Sequence, residues 1–106
     1  MKMLRQGDIL LVAVDKEPPL GLIPHKEVIL AEGELTGHAH RVRANTILEW
    51  HEGEQRYIRV IGDDAGELYH EDHDPVSVAV VEPETTYRVI SQQEIDLQGQ
   101  WRRVLD

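Results

Sequence analysis

The chain has 106 residues, a formal net charge of -9 and no cysteine. This length predicts a single domain spanning residues 1–106. The lack of cysteine excludes disulfides and thiolate metal sites, and no apolar run is long enough for a signal peptide or a membrane span, so a cytoplasmic protein is expected. The acid excess argues against binding to duplex DNA, because phosphate contacts need Lys and Arg.

The first half of the chain predicts three extended segments and one long loop. Residues 9–14 form a continuous apolar run after a Gly-Asp turn signal, which predicts a buried strand. Residues 16–25 contain three prolines and predict a loop, because proline removes backbone donors and fixes φ. Residues 28–32 predict a second strand, and residues 35–43 a third extended segment.

The second half continues the same rhythm of short apolar runs and turns. Further strands are predicted at residues 46–50, 56–61, 67–70, 76–81 and 87–90, the first two as a hairpin. The tail from residue 92 predicts either a last strand or a short C-terminal helix. Roughly eight short strands separated by Gly, Pro and Asp turns predict an all-β fold, a small barrel or a sandwich. A core this small favours a homodimer.

Four of the six histidines form two close pairs, His38 with His40 in GHAHRVR and His70 with His73 in YHEDHDP. If the first run is extended, its two histidines share a face with Val42. Neutral imidazoles at this spacing can hold one metal ion, so all four are candidate ligands for zinc, nickel, manganese or iron. The His-x-His element resembles the first motif of cupin-type barrels, although the glycine spacing differs and the expected glutamate is missing.

The same histidines are also candidate acid–base catalysts, because imidazole titrates near neutral pH. In this hypothesis the two pairs cleave an RNA-like phosphodiester without a cofactor. Arg41, Arg43 and Arg59 are the candidate phosphate-binding residues, since a guanidinium stabilises the charge of a crowded phosphorane. The guanidiniums of Arg41 and Arg43 favour the phosphodiesterase hypothesis, because a positive charge repels a divalent cation and attracts a phosphate. The carboxylates around His73 favour the metal-site hypothesis.

A third hypothesis is a non-catalytic binding or accessory module, in the manner of small co-chaperonin-like barrels. The paired histidines are then ordinary cross-strand or turn residues. His25 and His51 are expected to be ordinary surface residues.

The runs RQGDILLVAVD, AEGELTGHAHRV and LYHEDHDPVSV together cover much of the chain. In these runs the chain is similar to the small stand-alone CRISPR-associated ring nucleases. The resemblance implies a homodimer that cleaves a cyclic oligoadenylate second messenger near the subunit interface. The resemblance implies that His38, His40, Arg41 and His70 are site residues and that the ligand is a small RNA-like nucleotide. Duplex DNA and a membrane are not expected as partners, because of the acid excess and the lack of a long apolar run.

Overall fold

The computed structural model describes residues 2–32, 39–70 and 78–91, and every regular element in these ranges is a β-strand. The strands are β1 Met3–Gln6, β2 Ile9–Val14, β3 His25–Glu32, β4 Ala39–Glu52, β5 Gln55–Val60, β6 Gly66–His70, β7 Ala79–Val81 and β8 Thr86–Ser91. The predicted all-β fold is therefore confirmed.

The strands form one antiparallel sheet that nearly closes into a barrel. The order along the sheet is β1-β2-β8-β5-β4-β6-β7, and β3 pairs with β4 outside this path. β1, at one end of this order, lies against β6 and β7 at the other. Of the two predicted architectures, the barrel is the one observed.

The core fills the inside of the barrel. Because successive side chains of a strand point to opposite faces, apolar residues at alternate positions line the interior. The residues with 0% exposure are Ile9, Leu11, Val42, Ile47, Ile58, Val60, Leu68, Val81 and Tyr87. Burying each of the Ile, Leu and Val side chains in this set contributes about 1.5–3 kcal/mol.

Two elements differ from the prediction in more than their bounds, and β3 begins at His25, within the loop predicted for residues 16–25. β1 was not predicted, because MLRQ has no run of apolar residues; it forms by pairing with β2 through a tight turn at Gly7. β4 is one strand of 14 residues, where a break was predicted after residue 43. It pairs with β6 in its first part and with β5 in its second, so the change of partner occurs within a continuous strand.

The predicted tail from residue 92 lies outside the described residues, as do residues 76 and 77 of the predicted strand 76–81. Within the described ranges, no helix has the length and apolar character needed to cross a membrane.

Candidate histidine site

Strand pairing brings one histidine from each pair into contact. His40 on β4 lies directly opposite His70 on β6 in the antiparallel register. Their ring centroids are 4.4 Å apart and the rings are inclined by 52°. The next pair on the same face is Val42 with Leu68, both with 0% exposure. The imidazoles therefore share the inner face of the barrel and lie at one end of its core.

Gln6, at the end of β1, joins this pair to the barrel wall. Its side chain is buried, with 3% exposure. The amide Nε2 donates a hydrogen bond to the carbonyl oxygen of Leu68 at 3.1 Å. The amide Oε1 lies 2.9 Å from Nδ1 of His40. Gln6 thus connects β1, β4 and β6 at the histidine pair.

The outer face of the same two strands carries a charged cluster centred on Glu27 of β3. Arg41 Nη1 and Arg43 Nε donate to the two carboxylate oxygens at 2.9 and 2.7 Å. Tyr69 donates its hydroxyl to the same carboxylate at 3.1 Å, and the Arg43 guanidinium stacks over the Tyr69 ring at 4.6 Å. These bonds, that of Arg43 first, lower the pKa of Glu27 from 4.5 to about 2.

Arg41 and Arg43 thus alternate with His40 and Val42 along β4, as the extended pattern predicted, and their guanidiniums contact Glu27 on the face opposite the imidazoles. Adjacent positions in a strand point to opposite faces, so nearness in sequence does not bring these guanidiniums toward the imidazoles. Their predicted role in binding phosphate remains a prediction.

The remaining predicted site residues are placed as follows. Arg59 on β5 has a side chain that is 14% exposed and contacts Glu17, Glu84 and Thr86. It therefore belongs to a cluster of its own. His38 and His73 lie outside the described residues.

One guanidinium does lie on the inner side of the barrel, that of Arg56. Arg56 is in phase with Ile58 and Val60, and it donates to the backbone oxygens of Ile29 and Leu30 at 2.7 and 3.0 Å. It also forms an ion pair with Glu49. The sequence signal for this arrangement was an arginine at the period-2 spacing of an apolar strand. Nothing in the sequence singled out Gln6.

A cavity of about 540 Å³ lies near the outer-face cluster. Its lining includes Glu27 and Arg43, which bind each other, and Asn45 and Asp64, which are hydrogen-bonded at 3.1 Å. Because its charged groups are largely compensated among themselves and no imidazole lines it, this cavity is not the candidate site.

Within the described ranges, no group of three or more His, Asp or Glu side chains is arranged to hold a metal ion. Of the four histidines predicted as metal ligands, the described part of the chain contains His40 and His70.

The fold and the site define a small antiparallel β-barrel protein with an imidazole pair on its inner face. Residues 5–92 match the family described as a domain of unknown function (DUF8820), and the chain belongs to this family. No curated protein and no solved structure matches the chain. The matched range includes Gln6 and both histidine pairs.

Proposed function

We propose that this protein binds a divalent transition-metal ion through His40 and His70, with His38 and His73 as further ligands. The observation that carries the proposal is the direct contact of two imidazoles on the inner face of the barrel, 4.4 Å between centroids. Imidazole nitrogen is a good ligand for zinc, nickel and iron.

The short distance between the rings favours a metal ion over a phosphate group between them. Two imidazoles on a tetrahedral ion, each about 2.0–2.1 Å from it, have their ligating nitrogens only about 3.3 Å apart. An in-line phosphoryl transfer instead needs the base and the acid on opposite sides of phosphorus, each about 2.8 Å beyond an oxygen. Rings that touch leave no room for that group between them.

The charges of the molecule also favour a cation. The formal net charge is -9, which favours cations over anions near the protein. The guanidiniums of Arg41 and Arg43 are directed to Glu27 on the other face of β4, so the repulsion expected from sequence adjacency is reduced.

The test is metal binding by protein first stripped with a chelator. Equilibrium dialysis against Zn²⁺ or Ni²⁺, read out by elemental analysis, is expected to give close to one ion per chain. His40→Ala and His70→Ala should each weaken binding by more than about tenfold. The loss of a residue that only contacts a ligand already weakens metal binding about tenfold to a hundredfold. His51→Ala is the matched control, because His51 is exposed on the same strand.

Equal binding by wild type and by the His40→Ala, His70→Ala double variant would overturn the proposal, as would no binding at all. His38→Ala and His73→Ala extend the test to the whole ligand set. Weakened binding in both variants supports four histidine ligands, whereas unchanged binding limits the site to the inner pair.

A second candidate is the cofactor-free phosphodiesterase acting on a small RNA-like ligand such as a cyclic oligoadenylate. It is favoured by the hydrogen bond between Gln6 and His40. A catalytic general base needs its imidazole held in a fixed orientation, and this bond fixes the ring of His40. The acid would then be a histidine other than His70, at the far side of the phosphate. Cleavage in EDTA to a 2′,3′-cyclic phosphate, lost in His38→Ala and His40→Ala, supports this candidate, and no cleavage excludes it.

A further inference from the structure

We infer that Gln6 is a positioning residue that holds the proton of His40 on Nδ1 and thereby selects Nε2 as the atom that binds the ligand. The inference rests on the proposed function of the histidine pair. It also makes a statement about the ligand-free protein that is tested separately.

The orientation of the Gln6 amide follows from its neighbour on β6. The backbone oxygen of Leu68 can only accept a hydrogen bond, so the group that faces it at 3.1 Å must be the NH₂ of Gln6. The opposite orientation would place two oxygen atoms against each other in a buried site. The amide oxygen therefore faces His40.

The state of His40 follows in turn. Its Nδ1 lies 2.9 Å from an amide oxygen, which has no hydrogen to donate, so Nδ1 must carry the hydrogen. A neutral imidazole has one protonated nitrogen and one nitrogen with a lone pair. In this state the lone pair is on Nε2, and a metal ion or an incoming proton binds there.

The position of Gln6 is itself determined by the barrel. Gln6 is the last residue of β1 and pairs with Ile9 across a turn in which Gly7 has φ 56°. In the described part of the chain, β1 pairs by main chain with β2, and β6 pairs with β4 and β7. The Gln6 amide crosses from β1 to β6 at this junction, and a buried amide is retained there at little cost only when it is hydrogen-bonded.

The test compares Gln6→Glu with Gln6→Met. Both variants remove the NH₂ that binds Leu68, and Gln6→Glu also places a carboxylate oxygen against the Leu68 carbonyl, so the structural loss is at least as large in Gln6→Glu. At a pH where the new carboxyl is ionised, Glu still offers an oxygen to Nδ1 of His40, whereas Met does not. A role in barrel structure alone therefore predicts that Gln6→Glu is impaired at least as much as Gln6→Met, and a positioning role predicts that Gln6→Met is impaired more.

The direct measurement is the ¹⁵N NMR spectrum of the histidine rings of metal-free protein at about pH 9, well above the ordinary imidazole pKa of about 6.5. We expect His40 to be protonated on Nδ1 in wild type and in Gln6→Glu, and to populate both tautomers in Gln6→Met. Zn²⁺ affinity should fall about tenfold to a hundredfold in Gln6→Met and less in Gln6→Glu.

His40 protonated on Nε2 in wild type would overturn the inference, and so would an unchanged Nδ1 proton in Gln6→Met. If Gln6→Met does not fold, the wild-type spectrum alone decides. A wild-type Nδ1 proton without any Zn²⁺ binding refutes the proposed function and leaves the role of Gln6 in the tautomer standing. Zn²⁺ binding to a His40 protonated on Nε2 refutes the role of Gln6 and leaves the metal site standing.

Discussion

The two faces of the β4–β6 pair use the same stretch of backbone in different ways. On the outer face, Arg41 and Tyr69 both bind the carboxylate of Glu27, so cation and anion compensate each other. On the inner face, His40 and His70 touch, and Gln6 forms a hydrogen bond with Nδ1 of His40. An ion cluster of the first kind stabilises strand positions, whereas an oriented imidazole pair has the chemistry to bind a ligand.

The largest expected effect on stability is that of Leu68→Ala on the inner face. Leu68 has 0% exposure and lies beside the histidine pair on β6. Its truncation should lower the free energy of unfolding by about 2–5 kcal/mol, because lost burial and the remaining cavity add. Urea unfolding measures this change. Val80→Ala on neighbouring β7, where Val80 is 59% exposed, is the control and should stay within about 0.5 kcal/mol.

Glu27→Gln tests whether the two faces are independent. The variant keeps the shape of the side chain but removes the charge that binds Arg41 and Arg43. The expected loss of stability is about 1–2 kcal/mol, less than the pKa shift alone implies, because the ion pairs are partly exposed to solvent. Zn²⁺ affinity should change less than about threefold, well below the effect of losing a ligand or its direct partner. A parallel loss of Zn²⁺ binding would mean that the faces are coupled.

The pH dependence of stability provides a sharper measure of the same cluster. The pKa of Glu27 is lowered on folding from 4.5 to about 2. Its stabilising contribution is therefore full above pH 4.5 and is lost as the pH falls toward 2. The stability difference between wild type and Glu27→Gln should shrink over this interval in urea unfolding series. A constant difference across the interval would contradict the assignment.

The smallest effect is expected for the more exposed of the two arginines. The side chain of Arg43 is 62% exposed and that of Arg41 is 23% exposed. Solvent screens the exposed pair more strongly, so Arg43→Ala should lower stability less than Arg41→Ala. Thermal or urea unfolding of the two variants compares them directly. The reverse order would show that the stacking of Arg43 on Tyr69 outweighs its exposure.

The fold was predictable where a strand carries its own hydrophobic pattern. The strand at residues 9–14 has the predicted bounds, and the hairpin of β4 and β5 turns where predicted. β1 was missed because its strand form depends on pairing with β2. The continuity of β4 was missed because local pattern does not indicate a change of partner strand within one element.

The candidate site was predictable only in part. The alternation of His40 and Val42 with Arg41 and Arg43 is a property of any extended chain, and it was predicted correctly. The contact of His40 with His70 depends on the β4–β6 register, which joins positions distant in sequence. Glu27 and Gln6 were not among the predicted site residues, since each contributes through a partner on another strand.

The sequence by itself determined that this chain is all-β, where most of its strands lie, and which side chains share a face within each strand. Period-2 patterning is local, so it can be read from consecutive residues. Only the tertiary structure decided that the barrel brings His40, His70 and Gln6 together and directs Arg41 and Arg43 to Glu27. These contacts depend on strand order and register, which are set by the packing of the whole sheet.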